Sequence, residues 1–478
     1  MSIKFLNRYE SWLKLANLES KEYQKEALTW CLKREEEEIA GGILGDEMGL
    51  GKTFVMMGLI AAKPKQTLIV VPPTLLSQWT EVLTKNLHPP VVFHGPKKRE
   101  KDFNFSPIIL TTYNLTEYDE IKKHDWERII YDEAHHLRNQ KSKKYKGALC
   151  LKTKISWLVT GTPIQNRSSD LYSLCNILRI PKSLRCIETI CKNFCLRRRK
   201  EDVGLKLPEL EIHNIFPEWK TAAERECALD IHSLAKLTGV TGRNANRIIA
   251  DLGRVTRHTL SAILRARQMC IFPELIQNGI KKYIEDGILD ESWEGILSSI
   301  SSSKLDAVTS TILGRNNMRS KLVFCHFRKE IDELAKRLKH LKVGVIDGRT
   351  GKKERQNILN SSKNFTEDLC NEITNKLVPN KGTNFIFKNV SEFLNYDIVL
   401  LQVQTCCEGL NLQQFQEIYF TTPHWNPAVE DQAVARCYRQ GQKHKVDVFK
   451  FFMKFAGNKC TMDEYCQEVQ KIKRELHI

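Results

Sequence analysis

Residues Gly41 to Thr53 read GGILGDEMGLGKT. Glycines free the backbone to turn its amides inward around an anion, and Gly-Lys-Thr is the ending that opens a phosphate-binding helix. In that reading Lys52 reaches the β- and γ-phosphates of a nucleotide, and the Thr53 hydroxyl ligates Mg2+. A strict phosphate-loop pattern has glycine at position 46, where this chain has Asp46. By itself the run therefore also fits a glycine-rich turn ahead of an ordinary helix. A second motif weighs against that alternative. Further along, the β-rich run RIIY leads into Asp132-Glu133-Ala134-His135. A carboxylate at the C-terminal end of such a strand faces the phosphate loop of a nucleotide-binding sheet. Asp132 would then hold Mg2+, and Glu133 would orient and deprotonate an attacking water. An isolated DEAH string could equally be a solvated helix start, with acids favoured by the helix dipole. The hydrophobic strand before it and the glycine-rich run upstream, in the right order, favour the catalytic reading.

Working outward, TLIVV, PIILTTY, RIIYDE and ISWLVTG each precede polar or helical stretches. Strands alternating with helices predict a parallel sheet covered on both faces. From about Gly204 the strand signal fades, and AAERECALDIHSLAKL and RHTLSAILRARQM show helical apolar spacing. After SSKLDAV the alternation returns, with KLVFCHF, KVGVIDG, YDIVLLQV, EIYFTT and VDVFKFF as five expected strands. The expected fold class is α/β: a first lobe over residues 1–203, a helical insertion and linker over 204–300, a second lobe over 301–455 and a C-terminal helix over 456–478. The polar stretch from Leu359 to Asn395 reads as a surface excursion between two strands of the second lobe.

The bulk composition sets bounds. The chain has 478 residues, enough for two or three domains, with 41% hydrophobic and 27% charged residues, as in a globular protein. Lysine and arginine number 74 against 57 acids, a net charge of +17 that suits a polyanionic partner, although a solvated basic surface would carry the same excess. The 15 cysteines include no C-x-x-C pair, and the cluster Cys186, Cys191 and Cys195 lacks ligand-pair spacing, so no zinc module is expected. They read as reduced thiols of an intracellular protein. The opening MSIKFLNRYESWLKL lacks the apolar centre of a signal peptide, and no apolar run nears the ~18 residues of a membrane span.

Further strings carry a resemblance. They are Tyr23-Gln24 with Trp30, LIVVPPTLLSQW from Leu68 to Trp79, LTTYN around Thr111 and Thr112, LVTGTPIQN from Leu158 to Asn166, and LRRRK from Leu196 to Lys200. Downstream come ILRARQMCIFP from Ile263 to Pro273, VFCHF around His326, DGRTGKKER, QTCCEGLNL from Gln404 to Leu412, and WNPAVEDQAVARCYRQGQ from Trp425 to Gln442. In the last, Arg436 and Arg439 stand three apart, a spacing that puts both on one face of a helix. Together these strings, over almost the full length, resemble the Swi/Snf-type DNA-dependent ATPases of helicase superfamily two, DEAH-box type, whose phosphate loop usually reads DEMGLGKT.

The resemblance implies two RecA-like parallel-sheet lobes of the P-loop NTPase type, ATP and Mg2+ as cofactors, and movement along double-stranded DNA largely regardless of sequence. Lys52, Asp132, Glu133, Arg436 and Arg439 would be catalytic, the two arginines reaching the γ-phosphoryl group. Gln24, Asp46, Glu47, Met48, Gly49, Leu50, Gly51, Lys52, Thr53 and Gln432 would bind nucleotide, with Thr53 and Asp132 as the Mg2+ ligands. His135, Gly161 and Thr162 would couple nucleotide state to lobe movement. Thr74, Thr111, Thr112, His326, Thr405, Gly409, Asn411 and Trp425 would contact DNA. LRRRK, which by itself also fits a solvated basic patch or a nuclear-import signal, would serve a structural or DNA-side role.

The chain departs from the family at Cys406-Cys407, where Gly-Gly is common, at Thr422, where an acid usually precedes WNP, and at Tyr438 and Gln440, where His and Ile are common. These departures touch DNA contact and coupling. A strand-separating helicase, an RNA-directed or transcription-associated ATPase and a non-catalytic scaffold stay open as alternatives; the last must explain why the five catalytic residues occur together. The compact chain, with no histone-reading module, is similar to Swi/Snf-type proteins of large nucleocytoplasmic DNA viruses. That implies the nucleus or a cytoplasmic viral factory as its location, transcription or repair proteins as partners, and neither membrane nor zinc.

Overall fold

The computed structural model describes residues 3–161, 168–235, 257–287, 290–291, 293, 301–315, 319–361, 396–403, 410–457 and 459–475. The chain forms two units, residues 1–206 and 207–476.

In the first unit, seven parallel strands follow one another along the chain: β1 (Gly41–Leu44), β2 (Thr67–Val71), β3 (Val91–Phe93), β4 (Ile108–Thr112), β5 (Asp125–Asp132), β6 (Lys152–Val159) and β7 (Cys195–Leu196). Their order across the sheet is β3-β4-β2-β5-β6-β1-β7. The central strands are largely apolar where both faces are covered, as in LIVV of β2, IIY of β5 and WLV of β6. Leu44, Ile69 and Ile130 point to one core with helices α1 (Ile3–Leu15), α2 (Glu22–Arg34), α3 (Lys52–Ala62) and α4 (Leu76–Asn86). Their chain neighbours Ile43, Val70 and Tyr131 point to the opposite core, with the helices Lys143–Leu149, Ser168–Ile177 and Ile187–Phe194. One register decides where chemistry can occur. Val159 at the end of β6 pairs with Asp132 of β5 on one side and Leu44 of β1 on the other. The loop after β1 and the carboxylates after β5 therefore leave the sheet at the same edge. A buried ion pair fixes α2 against this frame: Glu35, at the end of α2, accepts from Arg128 of β5 at 2.6 and 2.8 Å and from the Trp157 indole at 3.1 Å.

Among the described residues, the second unit holds a six-stranded parallel sheet: β8 (Leu210–Ile215), β9 (Lys321–Cys325), β10 (Val343–Ile346), β11 (Ile398–Gln402), β12 (Glu417–Phe420) and β13 (Val446–Phe451), in the order β10-β11-β9-β12-β13-β8. The five strands expected from sequence are β9 to β13. The sixth, β8, lies in the stretch read as helical and pairs with β13 at the sheet edge, Leu210 opposite Val446. The helices Ala222–Leu234, Arg257–Ile271 and Met462–Glu475 share a separate core that includes Ile231, Met269, Phe455 and Tyr465. The described part of the helical stretch thus packs with the C-terminal helix. No helix among the described residues is long and apolar enough to cross a membrane.

Candidate active site

The loop from Gly45 to Gly51 bends through two left-handed glycines, Gly49 (φ 95°) and Gly51 (φ 82°), before α3 starts at Lys52. No side chain caps α3, so its leading N–H groups are left for an external acceptor, the arrangement that binds anions. Gly51 is constrained twice over: besides its φ, a Cβ there would lie 2.6 Å from Gln24 Nε2. The Gln24 amide packs on the loop and donates to the Leu50 carbonyl at 3.3 Å. Lys52 Nζ donates to the carbonyls of Asp46 (2.8 Å) and Glu47 (3.4 Å), within the loop it would serve. Gly161, after β6, closes on the same place: a Cβ on it would stand 3.0 Å from the Met48 side chain and 3.5 Å from Lys52 Nζ. Thr53 sits half-buried in the first turn of α3.

Across β6, Asp132 ends β5 and is buried. Its Oδ1 accepts from the Glu133 N–H at 2.9 Å, its Oδ2 from the Trp79 indole at 2.7 Å, and its carbonyl from the Tyr113 hydroxyl at 2.6 Å. Glu133 is held in the left-handed region (φ 50°), a costly conformation for a residue with a side chain and one that clusters at functional sites. Its carboxylate lies 3.2 Å from His135 Nδ1. Burial and the neighbouring Glu133 push Asp132 up to about 6, and burial beside His135 pushes His136 down to about 3. Two adjoining carboxyl groups, one strained and one raised in pKa, form a donor set that fits a hard divalent cation. Gln24, Met48, Gly49, Leu50, Gly51, Lys52, Thr53, Asp132, Glu133 and Gly161 thus gather at one sheet edge; Thr162 lies outside the described residues. Trp79 has no role in the sequence reading. An indole in an amphipathic helix reads as core, and only the crossing of α4 over the end of β5 brings its N–H to Asp132.

Several expectations change in the first unit. Asp46, expected on the nucleotide, turns its carboxylate away and accepts three bonds from Arg198, at 2.6, 3.0 and 3.2 Å. The Glu47 carboxylate likewise faces Lys200, accepting from its N–H at 2.8 Å. Thr111 is fully buried, with its hydroxyl donating to the Phe93 carbonyl at 3.0 Å, and Thr112 beside it is also buried, so neither side chain is offered to DNA. Thr74, half-buried in the short helix Pro73–Leu75 just past β2, stays at the rim.

In the second unit the helix Pro427–Cys437 is N-capped by Asn426, which accepts from the Ala428 N–H at 3.2 Å. Gln432 is buried along it, and Arg436 lies in its last turn. Arg439 does not share the helix, contrary to the expectation of one helical face. The helix ends at Cys437, and Tyr438 leaves helical geometry (φ −98°, ψ 81°) with its hydroxyl donating to the Pro208 carbonyl at 2.7 Å. The two guanidinium groups still sense each other: burial and then Arg436 lower the Arg439 pKa. Arg436 Nε is buried with no hydrogen-bond partner among the described residues.

The expected DNA contacts of this unit divide. His326 is buried, its Nε2 2.8 Å from Arg267 Nη2 and its ring stacked on His424, and burial and Arg267 lower its pKa well below the usual imidazole value. It is an interior residue, not a surface contact. Trp425 packs half-buried against the helical core, 5.9 Å from the Tyr465 ring. Asn411 is exposed. Thr405 and Gly409 lie outside the described residues.

Residues 23–186 match the model of the SNF2-related domain. The chain is 26% identical to the human "Helicase-like transcription factor" over 87% of its own length and 50% of that protein's. It is 24% identical to the "Probable global transactivator" of Orgyia pseudotsugata multicapsid polyhedrosis virus, over 90% of this chain and 86% of that one. Among solved structures it is similar to a Sulfolobus solfataricus SWI2/SNF2 ATPase core in complex with dsDNA, at 22% identity and a TM-score of 0.39, covering 96% of this chain and 92% of the other. The chain spans about half the length of the human relative.

Proposed function

We propose, from the match of residues 23–186 to the SNF2-related domain, that the chain is an ATPase of the SNF2 type that hydrolyses ATP to move along double-stranded DNA. The observation that carries the reading is the pairing of Val159 with both Leu44 and Asp132, because it brings an anion-binding loop and a carboxylate pair to one sheet edge.

In this reading Lys52 moves from the loop carbonyls onto the β- and γ-phosphates, and the uncapped N–H groups of α3 surround them. Gln24, over the loop, holds the adenine. A bound Mg2+ would neutralise charge on the phosphate oxygens, held by Thr53 and Asp132. Glu133 orients the water and takes its proton as the water attacks the γ-phosphorus; ADP leaves with the bonding electron pair, and phosphate is released. Arg436 and Arg439 meet the charge that develops on the γ-phosphoryl oxygens when the two lobes close on the nucleotide. DNA lying across both lobes favours the closed state and so speeds hydrolysis by population shift, and His135, Gly161 and Thr162 relay that state. Thr74, Asn411, Thr405 and Gly409 are the DNA contacts we retain, and the excess of 74 basic over 57 acidic residues supplies phosphate contacts blind to sequence. The first lobe ends near residue 203, and the second opens with β8 and resumes at about residue 301 after the helical insertion. The viral relative supports a viral setting, in the nucleus or a cytoplasmic factory, and the names of both relatives support transcription proteins ahead of repair proteins as partners.

The test is the ATPase rate with no nucleic acid, single-stranded DNA, duplex DNA and RNA at matched salt, together with displacement of a triplex-forming third strand. Duplex DNA gives the largest stimulation, and Lys52→Ala abolishes turnover. Stimulation by RNA alone would replace this reading with an RNA-directed ATPase, and turnover persisting in Lys52→Ala would remove the nucleotide assignment.

A further inference from the structure

Two features of the sequence stand outside the mechanism: the acid at position 46, where a strict phosphate loop has glycine, and the basic run LRRRK. The structure joins them. Asp46 is 1% exposed, and Arg198 meets it with a two-pronged contact, Nη2 to Oδ2 at 2.6 Å and Nε to Oδ1 at 3.2 Å, while the Arg198 N–H adds a third bond to Oδ1 at 3.0 Å. The other arm of the same guanidinium, Nη1, donates to the Tyr23 carbonyl at 2.7 Å, one residue before Gln24. The backbone does likewise. Gly45 N–H donates to the Leu196 carbonyl at 2.7 Å and Glu47 N–H to the Arg198 carbonyl at 2.9 Å, so the segment after β7 continues the sheet onto the phosphate loop. Lys200 completes the contact, with its N–H 2.8 Å and its Nζ 3.2 Å from the Glu47 carboxylate.

We propose that Arg198 is a positioning residue for nucleotide binding: it holds the phosphate loop in its binding shape through Asp46 and fixes that loop to the Gln24 segment, with Lys200 assisting through Glu47. This rests on the nucleotide reading of the loop. Asp46 also presents the carbonyl that Lys52 Nζ bonds at 2.8 Å, so any shift of Asp46 moves the lysine's resting place. When one partner of a buried charged pair is removed, the other is left desolvated. Asp46 can escape that only by swinging out to water, which carries Gly45 to Gly51 with it. A lysine cannot replace the arginine, because three separate acceptors are met by one planar fork. The tether also sits close to the chain's exit from the first unit: eight residues after Arg198 comes Lys206, the last residue before the second unit.

The experiment uses the full chain as wild type, Arg198→Ala, Arg198→Lys, Asp46→Ala and the Arg198→Ala/Asp46→Ala double variant. Calorimetry with Mg-ADP gives affinity without turnover, and steady-state assays with saturating duplex DNA give KM and kcat. Arg198→Ala weakens ADP at least tenfold and raises the KM for ATP by a similar factor, while kcat changes less than threefold; Arg198→Lys falls close to it. The double variant is no weaker than the worse single one, since the two residues act through each other. ADP affinity in both Arg198 variants within twofold of wild type, or single losses that multiply in the double variant, overturns the proposal. If Arg198→Ala does not fold, Arg198→Lys and the double variant decide it. A wild-type chain that binds no ADP defeats the nucleotide reading instead, and the two failures are thereby told apart.

Discussion

Position 422, where the family that the chain resembles usually carries an acid ahead of WNP, is a threonine here, and its hydroxyl meets a buried carboxylate on another element, which suggests a compensation that can be tested. Lys304 and Asp463 are both 1% exposed and form an ion pair at 2.5 Å. Asp463 Oδ2 also accepts from the Met453 N–H at 2.8 Å, and its Oδ1 from the Thr422 hydroxyl at 2.9 Å. One carboxylate of the C-terminal helix thus satisfies a buried lysine, the chain just past β13 and the end of β12. Asp463→Ala strands the Lys304 ammonium in the core. Breaking a buried pair in this way costs ~3–5 kcal/mol, and the two further hydrogen bonds place the loss near the upper end. A carboxylate restored at 422 starts from a side chain that already reaches Asp463 and brings charge back to the same lysine. Adding Thr422→Asp to Asp463→Ala therefore recovers about half of the loss. Thr422→Asp alone sets two carboxylates on one buried cation and destabilises by roughly 1–3 kcal/mol. The assay is urea unfolding of the full chain by circular dichroism, where ~4 kcal/mol shifts the midpoint by about 1 M. Hydrogen exchange over residues 451–455 localises the effect to the Met453 amide. If Asp463→Ala costs less than about 1 kcal/mol, or Thr422→Asp fails to rescue it, the compensation is wrong.

Three more perturbations follow from the geometry. Trp79→Phe keeps a ring in the core but deletes the donor to Asp132, a charge-assisted bond worth ~1.5–3 kcal/mol, so kcat/KM falls by about tenfold or more in a steady-state assay with the fold retained in circular dichroism. Gly51→Ala loses nucleotide affinity in calorimetry because its Cβ drives out Gln24, whereas Gly95→Ala, at a similar φ of 80° with nothing within 4 Å of its Cβ, bears only the backbone cost and leaves affinity unchanged. His232 is buried between the Ala228 carbonyl and Cys270, and burial lowers its pKa from 6.5 to about 4. The unfolded chain therefore takes up the proton first: this stability is complete above pH 6.5 and is lost as pH falls towards 4, by about 1.4 kcal/mol per unit and roughly 3 in all. Urea midpoints against pH should flatten in His232→Gln, and an unchanged slope would exclude His232 as the cause.

How far the fold could be read in advance follows from burial. TLIVV, IILTT and KLVFC lie between two covered faces, so they are mostly apolar or β-branched and stand out as strands. LEIHNI, at a sheet edge, is only partly covered, and its mixed residues drop below that contrast. GGIL is four residues long and merges with the glycine-rich loop it feeds. In the site, Lys52, Asp132 and Glu133 are legible because local spacing holds the first at a helix start and the other two at a strand end. Extending the 3.6-residue period to Arg439 fails, since the Tyr438 hydroxyl is anchored 230 residues away at Pro208 and turns the backbone out of the helix. Motif position alone offers Thr111 and Thr112 to DNA, but β4 is covered on both faces, so neither direction along it leads to solvent.

Positions 46 and 422 share one explanation. At 46 the chain carries an acid that the strict pattern lacks, and 152 residues later Arg198 meets it. At 422 it lacks an acid usual in the family it resembles, and 41 residues later Asp463 accepts from the Thr422 hydroxyl. In each case the buried charge is balanced by a residue on a different element, so what the residue at that position does is legible only once its partner is found in space. An unpaired buried charge costs several kcal/mol, comparable to the whole stability of a domain, so such a position cannot change without a neighbour that answers it. Local spacing therefore identifies the groups that touch substrate, while the groups that hold those in place are found by following each buried charge to its counter-ion.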